Sequence, residues 1–464
     1  MAIRADQTLE KTARPSAFEA AHMSYQERRD RLAESLRLGG SGEIRLGKAT
    51  SNLFRDRGTR GDTLDVSDFQ HVLSVDPQTR VIETEGMVTY EALADAALTH
   101  GLMPAVVPQL KSITIGGAIG GIGIESSSFR YGLPHETVLE MDVLLGNGDI
   151  ICCTPDNEYR DLFFGLANSY GSLGYILRLR IEGIPVKPYV RLTHLHVRDP
   201  DEFFARLEAA TRDSYDFVDG VVLSPGEHYL VLGEFCDEAP YTSDYTYLNI
   251  FYRSIRQRSE DYLTVRDYLW RWDTDWFWCS KNLYVQNPLM RRLLGRRRLN
   301  SITYQKVMRW NTRVGLTRRL NTLTGIHRES VIQDVDIPLE HAQAFLEFFE
   351  REIGIRPVWI CPARHHRTRG EYPLFPMRDD TLYINFGFWD GVRSRQNYPR
   401  GHFNRLIEDE VTKLGGIKSL YSESFYSQEA FDRQYGGSHY CALKGRYDPD
   451  HRLKDLYQKC VLSQ

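Results

Sequence analysis

The chain has 464 residues, of which 42% are hydrophobic and 26% charged, and its formal net charge is −4. Mean hydropathy is −0.42, no run approaches the roughly 18 apolar residues that a membrane span requires, and the first residues hold no apolar stretch of a signal peptide. With seven cysteines and no CxxC pair, the composition excludes a disulfide-rich secreted domain and a cysteine-based metal site, and predicts a cytoplasmic protein of two or three domains.

The first predicted element is a helix in residues 24–40. Ser24 and Glu27 have the spacing of a capping box, and Gly39 is a typical helix stop. Few apolar residues precede this helix. Residues 1–42 are therefore predicted to be a helical N-terminal extension on the protein surface.

Short strands and one helix are predicted next. Apolar residues alternate in the strand manner over residues 43–88, and the pattern of TYEALADAALTHG (89–101) is helical. In the following PAVVPQLKSITI, Pro104 and Pro108 cannot donate to a strand ladder. No central strand is therefore predicted immediately before residue 115.

Residues 115–132, with the sequence IGGAIGGIGIESSSFRYG, form the most informative segment of the chain. Five glycines within eight residues allow positive φ values and a close approach of the backbone to a ligand. Successive backbone N–H groups in such a turn bind anions, and three serine hydroxyls add further donors. The segment therefore favours the pyrophosphate of a dinucleotide over the alternative, a glycine-rich surface loop.

The glycine pattern differs from the fingerprint of a nicotinamide-binding Rossmann fold. That fingerprint lies between a buried strand and a helix. Here Gly132 and Pro134 follow where a helix should continue. The segment is therefore predicted to be a loop that extends across its ligand.

The rest of the chain predicts further strands and then a mixture of elements. TVLEMDVLLGNGDIICCTP (137–155) and GSLGYILRLRI (171–181) have strand patterns. Residues 191–420 mix strands and helices without a βαβ order. This mixture predicts an α+β arrangement.

These segments resemble the vanillyl-alcohol-oxidase/PCMH flavoprotein superfamily, and within it the sterol side-chain reductase branch. The likeness begins near Gly42 and is carried by VVPQLKSITIGGAIGGIGIESSSFRYGL, FVDGVVLSPGEHYLVLGEF (217–235), WFWCSKNLYVQNPLMRRLLG (276–295), SVIQDVDIPL (330–339), RPVWICPA (356–363), LYINFGFWD (382–390) and LYSESFYSQEAFDRQYGGSHY (420–440). It implies an α+β fold with a two-lobed PCMH-type FAD-binding domain at residues 43–190, a substrate cap at 191–420 and a C-terminal return at 421–464. The usual first phosphate loop of the superfamily is reduced to RLGKATSN (45–52).

The resemblance implies a non-covalently bound FAD, because no histidine lies at a matched tether position. Predicted contacts to its pyrophosphate and ribityl chain are Ile115, Gly116, Gly117, Gly120, Gly121, Gly123, Ile124, Ser126, Ser127, Ser128, Arg130, Tyr131 and Gly132. Gly171, Ser172 and Gly174 are predicted at the adenine or isoalloxazine end. No metal is predicted: His365 and His366 lack a nearby third ligand and are interpreted as a solvated basic turn.

Residues 271–320 carry twelve Lys or Arg against two acids, a net charge of +10, and four tryptophans lie within residues 270–278. Tryptophan favours the boundary of a membrane, and arginine attracts anionic headgroups. Residues 268–320 are therefore predicted to contact the inner membrane face peripherally. The alternatives are ion pairing with another domain and, less favoured in an acidic chain, nucleic-acid binding.

The resemblance implies an enzyme that acts on a carbon–carbon double bond. We expect an FAD-dependent reductase of a lipid chain with NADPH as donor, and a methylene-branched fatty acyl group of a phospholipid as substrate. Protonation of a branch-point alkene gives a tertiary carbocation, which can then accept hydride from the flavin. The alternatives are a sterol side-chain reductase, a flavin-dependent acyl desaturase and a flavin-free lipid-binding protein.

Such a reduction requires a general acid near the flavin. Family-matched segments offer Glu234, Gln333, Asp334, Tyr383, Asn385, Tyr421, Glu423, His439 and Tyr440. Glu423, Tyr383 and His439 are predicted to be catalytic, because their segments should return to the flavin. For any single candidate, the more common alternative is a hydrogen-bonded polar group of the core.

Overall fold

The structure is a computed structural model that describes residues 17–40, 42–48, 54, 61–314, 325–365 and 370–463. In residues 17–23 and 311–314 only the backbone is described. Residues 49–52 of the predicted phosphate segment, and His366, lie outside this set. Within it, no helix combines the length and the apolar composition needed to cross a bilayer.

Helix α1 covers Ala17–Leu38 and is longer than predicted. Ser24 lies inside it, so the predicted capping box is wrong, whereas the predicted end is confirmed because Gly39 N–H donates to the carbonyl of Ser35 at 3.0 Å. Tyr25 is buried in the core and donates a 2.7 Å hydrogen bond to Asp142. The helix is therefore packed against the protein along one side.

Two sheets follow α1. Strands β1 and β2 (Ile44–Gly47, Asp62–Asp65) pair in parallel and form the first, two-stranded sheet. Among the described residues, a six-stranded sheet has the order β3-β4-β8-β6-β7 with β5 paired to β8, and we call it the N-terminal sheet. Its strands are Val72–Asp76, Val81–Glu85, Leu102–Pro104, Val138–Leu144, Ile150–Cys153 and Tyr175–Pro185 for β3 to β8. The strands predicted from the alternating patterns are confirmed.

Short helices connect these strands. The helix predicted in residues 89–101 is confirmed as α2, Tyr90–Leu98, and Thr89 is its N-cap. The others in this part are α3 (Ile115–Gly121), α4 (Ser128–Tyr131) and α5 (Arg160–Gly165). The glycine-rich segment thus contains two short helices, and its prediction as an open loop is wrong.

A large antiparallel sheet follows; within the described chain it has eight strands in the order β12-β9-β11-β10-β14-β15-β13-β16. They are Tyr189–Val197, Phe217–Ser224, Glu227–Cys236, Glu260–Thr264, His327–Pro338, Val358–Arg364, Leu382–Ser394 and Ile417–Lys418 for β9 to β16. Helices α6 (Pro200–Arg212), α11 (Ala342–Glu352) and α12 (His402–Lys413) cover one face with apolar side chains. The expected α+β class is confirmed.

Irregular structure and short helices between β11 and β13 pack against the opposite face of the large sheet. Between β11 and β13 lie α7 (Phe251–Ser254), α8 (Val265–Leu269), α9 (Pro288–Leu294) and α10 (Ser301–Val314). The last helices are α13 (Gln428–Gln434), α14 (Gly437–Tyr447) and α15 (Leu456–Cys460). Lys444 Nζ donates to the carbonyl of Ser172 at 2.8 Å, so the C-terminus contacts the segment before β8.

Candidate active site

A cavity of about 400 Å³ lies between the N-terminal sheet and the face of the large sheet that is opposite to helices α6, α11 and α12. Both parts of the chain contribute to its wall. The lining residues used below are Arg45, Lys48, Phe54, Gln109, Gly117, Gly120, Gly121, Tyr170, Trp276, Phe277, Asp334, Trp359, Trp389, Tyr421, Lys454 and Lys459. Such a concave site between two sheets is the expected place for a cofactor and its substrate.

The glycine-rich segment forms one wall of the cavity. None of the five glycines between Gly116 and Gly123 has a positive φ; in this segment Ile122, at 62°, and Gly132, at 74°, have positive φ values. The expectation that these five glycines adopt positive φ values is therefore wrong. Close packing requires glycine at position 116 instead: a Cβ on Gly116 would lie 2.8 Å from the carbonyl oxygen of Gly86.

Gly120 presents bare backbone to the cavity. It is buried, yet a Cβ built on it would meet no atom within 4 Å. Tyr170 fixes this backbone, since its N–H donates to the Gly120 carbonyl at 2.7 Å and its hydroxyl to the Gly121 carbonyl at 2.6 Å. A ligand can therefore approach a rigid peptide surface closely.

Basic side chains line the same cavity: Arg45, Lys48, Lys454 and Lys459. Lys48 Nζ lies 3.4 Å from Thr114 Oγ1 at the start of α3, and Lys459 Nζ donates to the carbonyl of Gly171 at 2.8 Å. Among the lining residues that the structure describes, Asp334 is the single acid. Bare backbone beside several cations suits a diphosphate, so these residues fit the predicted FAD.

Aromatic rings form another part of the wall. Phe54 stacks on Trp276 with ring centroids 5.7 Å apart, and Phe277 contacts Trp389 at 4.5 Å. Trp359 extends this cluster on the neighbouring strand β14. These rings provide a dry surface for a flat or apolar ligand, and their π faces can stabilise positive charge.

A hydrogen-bonded chain of three side chains links the aromatic wall to a buried acid. Trp389 Nε1 donates to the hydroxyl of Tyr421 at 2.8 Å, and that hydroxyl donates to Asp334. Burial raises the pKa of Asp334 to about 7, although the Tyr421 hydrogen bond opposes the shift. Asp334 Oδ1 has no hydrogen-bond partner among the described residues. A carboxyl group with such a pKa can donate or accept a proton near neutral pH.

A second acid lies on the same face of β13. Alternation along the strand directs Asp334 and Asp336 to one face and Val335 to the helix-covered core. Asn385 Nδ2 donates to Asp336 at 3.3 Å, and burial, with the charge of Asp334, raises the pKa of Asp336 to about 8. The carboxylates at i and i+2 of an otherwise apolar strand, VIQDVDIP, are a sequence signal for this pair.

Further buried polar groups lie behind the cavity wall. Gln109 donates to Glu125, whose pKa burial raises to about 7. Arg271 donates to Asp219 at 2.9 Å, and Trp359 Nε1 donates to the same carboxylate at 3.0 Å. The sequence did not single out Gln109, Glu125 or Trp359, because each becomes a wall or supporting residue only through contacts between distant segments.

The predicted cofactor residues divide into two groups. Those that line the cavity are Gly116, Gly117, Gly120, Gly121, Gly123, Ile124, Gly171 and Gly174. Those outside its described wall are Ile115, Ser126, Ser127, Ser128, Arg130, Tyr131, Gly132 and Ser172.

Two serines and the arginine of the second group have partners away from the cavity. Ser126 Oγ is 2.9 Å from the Tyr268 hydroxyl, and Ser127 Oγ donates to the carbonyl of Ala105 at 2.8 Å. Arg130 forms an ion pair with Asp216 at 3.2 Å. The expectation that the serine hydroxyls face the ligand is therefore corrected: they fix the path of the chain after the glycines.

None of the three predicted catalytic residues lies at the described cavity wall, so their catalytic role stays a prediction. Glu423 pairs with the exposed Arg400, and His439 is exposed on α14. Tyr383 is buried, and its hydroxyl accepts from the N–H of Arg378 at 3.0 Å. Tyr383 is six residues from Trp389 on β15, which separates them by roughly 20 Å along the strand.

His365 differs from its interpretation as a solvated turn residue. It is 8% exposed, and its Nδ1 lies 2.8 Å from Glu136. Burial lowers its pKa, but the hydrogen bond and charge of Glu136 outweigh that effect and raise it. This pair joins the segment after β14 to the turn before β6.

The basic aromatic stretch is partly buried. Its four tryptophans, Trp270, Trp272, Trp276 and Trp278, are all core residues, so they cannot form a membrane-interface belt. Arg271 and Arg291 are also buried, paired with Asp219 and Asp275 respectively. That part of the interpretation is wrong, because these side chains cover the large sheet.

Comparison with known proteins identifies the cofactor. A family profile described as an FAD binding domain matches residues 43–154, which include β1 and the glycine-rich wall. The predicted superfamily and the predicted FAD are confirmed.

The chain is also similar to curated proteins over most of its length. It is 27% identical over 402 residues to Delta(24)-sterol reductase from Homo sapiens, covering 84% of this chain and 75% of the human protein. The Arabidopsis thaliana Delta(24)-sterol reductase is 24% identical over 432 residues, 85% of this chain and 76% of that protein. Cytokinin dehydrogenase 7 from Oryza sativa subsp. japonica is 33% identical over 146 residues, 30% of this chain and 28% of that protein.

Proposed function

We propose that this chain, an FAD-dependent oxidoreductase of the vanillyl-alcohol-oxidase/PCMH superfamily, reduces a carbon–carbon double bond in a lipid chain with NADPH as electron donor. The observation that carries the proposal is Asp334, an acid that keeps its proton near neutral pH in the wall of an aromatic cavity. The relatives named as sterol reductases support the same reaction class.

The reaction needs one hydride and one proton. The wall formed by Gly117, Gly120 and Gly121 would hold FAD, and the bound flavin would supply to one carbon of the double bond the hydride that NADPH provides. The other carbon takes its proton from the protein, and an unconjugated alkene accepts that proton only if the resulting cation is stabilised. The aromatic rings of Trp276, Phe277 and Trp389 provide π faces for this cation and exclude water that would trap it.

Asp334 is the proposed proton donor. A pKa of about 7 makes its proton available at neutral pH without requiring a strong base to restore it. The Tyr421 hydroxyl, held by Trp389 Nε1, stabilises the carboxylate that remains. Since the protonated acid is the active form, the rate of alkene reduction should fall as the pH rises through about 7.

The favoured substrate is a methylene-branched fatty acyl group of a phospholipid. Its branch-point alkene gives a tertiary cation, as a sterol side chain with a branch-point double bond does. A sterol reductase is the second candidate, and the names of the relatives favour it. A flavin-dependent acyl desaturase would use the same groups in the opposite direction, with Asp334 as base.

Anaerobic mixing of the purified protein with NADPH tests the direction of the reaction. A reductase should lose its flavin absorbance rapidly, and added lipid should restore it with a gain of two hydrogens in the product, measured by mass spectrometry. Incubation with methylene-branched phospholipid and with a Δ24 sterol, in separate reactions, identifies the substrate. Flavin that stays oxidised with NADPH but is bleached by a saturated acyl lipid would instead establish a desaturase.

Substitution of the acid tests the mechanism. Asp334→Asn should leave flavin bleaching by NADPH intact and slow reoxidation by the alkene about 100-fold or more, because general acid catalysis contributes at least that factor. Tyr421→Phe should act in the same direction with a smaller effect. Glu423→Gln is the control, since that carboxylate pairs with Arg400 at the surface. Equal reoxidation rates in the wild type and Asp334→Asn would contradict the assignment.

A further inference from the structure

A part of the molecule outside the cavity exposes large apolar side chains. In α9, Leu289 and Leu293 are 63% and 69% exposed, and in α10 Trp310 is 57% exposed. Others nearby in the sequence are Tyr284, Met290, Ile302 and Val307. Exposed apolar side chains concentrated in two adjacent helices indicate a binding surface.

Basic side chains accompany these apolar ones. Arg292, Arg296, Arg297, Arg298, Lys306 and Arg309 are all exposed. The sequence holds no acidic residue from 276 to 314. In α10, Ile302, Lys306 and Trp310 are spaced at i, i+4 and i+8, so apolar and basic residues share one face of the helix. This composition is typical of a helix that lies in the interface of an anionic membrane.

Both helices are anchored by their opposite sides to one short turn, Asp273–Asp275. The buried Arg291 of α9 pairs with Asp275. In α10, Ser301 Oγ donates to Asp273 at 2.6 Å, and the Tyr304 hydroxyl donates to the carbonyl of Thr274 at 2.9 Å. The exposed residues of the two helices are therefore held on a rigid support.

We propose that the exposed faces of α9 and α10, here called the α9–α10 surface, dock on a bilayer that contains anionic phospholipid. Leu289, Leu293 and Trp310 enter the headgroup boundary, and the surrounding arginines neutralise headgroup charge. A second copy of the chain is a poorer occupant, because a symmetric contact would place two strongly basic surfaces against each other, with Asp244, which pairs with Arg296 at 2.7 Å, as the acid recorded beside these cations in the described structure. The sequence analysis assigned membrane contact to the tryptophans of residues 270–278, which are buried. The proposal assigns it instead to exposed residues of α9 and α10 in the same stretch.

The α9–α10 surface is one residue layer from the cavity. Tyr304 of α10 stacks on Trp276, which lines the cavity, with ring centroids 6.5 Å apart. Asp273 also accepts the N–H of Lys111, between the lining residues Leu110 and Ser112. Docking would thus bring this wall close to membrane lipid. The proposal does not depend on the direction of the redox reaction, since binding is measured without turnover.

Vesicle sedimentation of the full chain tests the surface, with phosphatidylcholine alone and with phosphatidylcholine mixed with phosphatidylglycerol. Binding should require the anionic lipid and weaken as salt is raised. A variant with Arg296→Glu, Arg297→Glu and Arg298→Glu should bind at least 100-fold more weakly, from a factor of about fivefold for each cation removed. A variant with Leu289→Ser, Leu293→Ser and Trp310→Ser should also lose binding.

Matched controls come from other exposed sites. Leu38→Ser removes an apolar side chain that is 80% exposed on α1, and Arg206→Glu with Arg212→Glu reverses exposed charges on α6. These should bind vesicles as the wild type does, and all variants should retain flavin and its bleaching by NADPH in solution. The proposal is overturned if the α9–α10 variants bind like the wild type. It is also overturned if the wild type does not bind vesicles and light scattering shows a dimer that the variant with Leu289→Ser, Leu293→Ser and Trp310→Ser no longer forms.

Discussion

The carboxyl group of Asp334 holds its proton near neutral pH because it is buried and lacks a cation partner in the described cavity wall. Arg178, by contrast, satisfies three carboxylates, Glu83, Glu140 and Asp142, and the pKa of Asp142 is lowered despite its burial. Burial without a counterion is thus what separates a proton donor from an ion-paired acid here. Sequence composition cannot distinguish the two.

Gly120 allows a prediction about the cofactor wall. Gly120→Leu should reduce the fraction of protein purified with flavin at least tenfold, because its side chain would extend into the cavity. Gly120→Ala should keep flavin and raise stability by up to about 1 kcal/mol, since Gly120 lies in a helix. The measurements are the ratio of flavin to protein absorbance and the melting temperature.

Gly445 provides the matched control for that experiment. It lies in α14, is exposed, and a Cβ on it would also meet no atom within 4 Å. Gly445→Leu should therefore retain flavin. If Gly120→Leu and Gly445→Leu bound flavin equally well, Gly120 would not face the cofactor.

At the scale of elements, the stretch from α8 to α10 serves two different purposes. Its first part, with Trp272 and Arg271, packs into the core, whereas α9 and α10 expose Leu293 and Trp310. The arginine and aromatic residues of this stretch therefore occupy two environments, the protein core and the exposed surface. In α9 and α10, the residues on the side that contacts the turn Asp273–Asp275 are buried, and those on the opposite side are exposed.

Arg271 and Arg292 make this difference measurable. Arg271→Met should lower the free energy of unfolding by about 3–5 kcal/mol, because it leaves the buried Asp219 without its cation. Arg292→Met, at an exposed position of α9, should change it by no more than about 0.5 kcal/mol. Urea unfolding followed by tryptophan fluorescence gives both values. Similar effects of the two substitutions would contradict the assignment of Arg271 to a buried ion pair.

At the scale of the whole molecule, one face of the large sheet packs apolar residues against helices α6, α11 and α12, and the opposite face carries Asp334 and Asp336 beside Trp359 and Trp389. The same strands therefore build a core on one face and a reactive wall on the other. Asp336 is fully buried, and its Oδ2 has no hydrogen-bond partner among the described residues. Its ionisation is therefore unfavourable in the folded protein. Such a group makes stability depend on pH.

Asp336→Asn should change that dependence in a definite direction. The folded protein keeps the Asp336 proton up to about pH 8, whereas the unfolded chain releases it near 3.8. The folded state therefore binds one more proton than the unfolded chain between these two pH values. For this reason, the contribution of Asp336 to the free energy of unfolding is largest at acid pH and falls as the pH rises toward 8. Relative to the wild type, Asp336→Asn should gain about 1.4 kcal/mol for each pH unit between 5 and 8, measured by urea unfolding.

An exposed carboxyl serves as the control for this measurement. Hydrogen bonds from Ser67 lower the pKa of Asp65, so it is ionised throughout that pH range in both states. The difference between Asp65→Asn and the wild type should therefore stay constant from pH 5 to 8. A constant difference for Asp336→Asn as well would show that Asp336 ionises normally in the folded protein.

The sequence alone determined the α+β class, the strands around the glycine-rich segment and the FAD cofactor, because glycine spacing, alternation and family motifs are local properties. It also directed attention to the segments SVIQDVDIPL and LYSES, which hold Asp334 and Tyr421. Only the tertiary structure decided that these two residues, and not Glu423, Tyr383 or His439, meet at the cavity. Burial and strand facing arise from contacts between distant segments, and those contacts also decided which arginines and tryptophans lie at the surface.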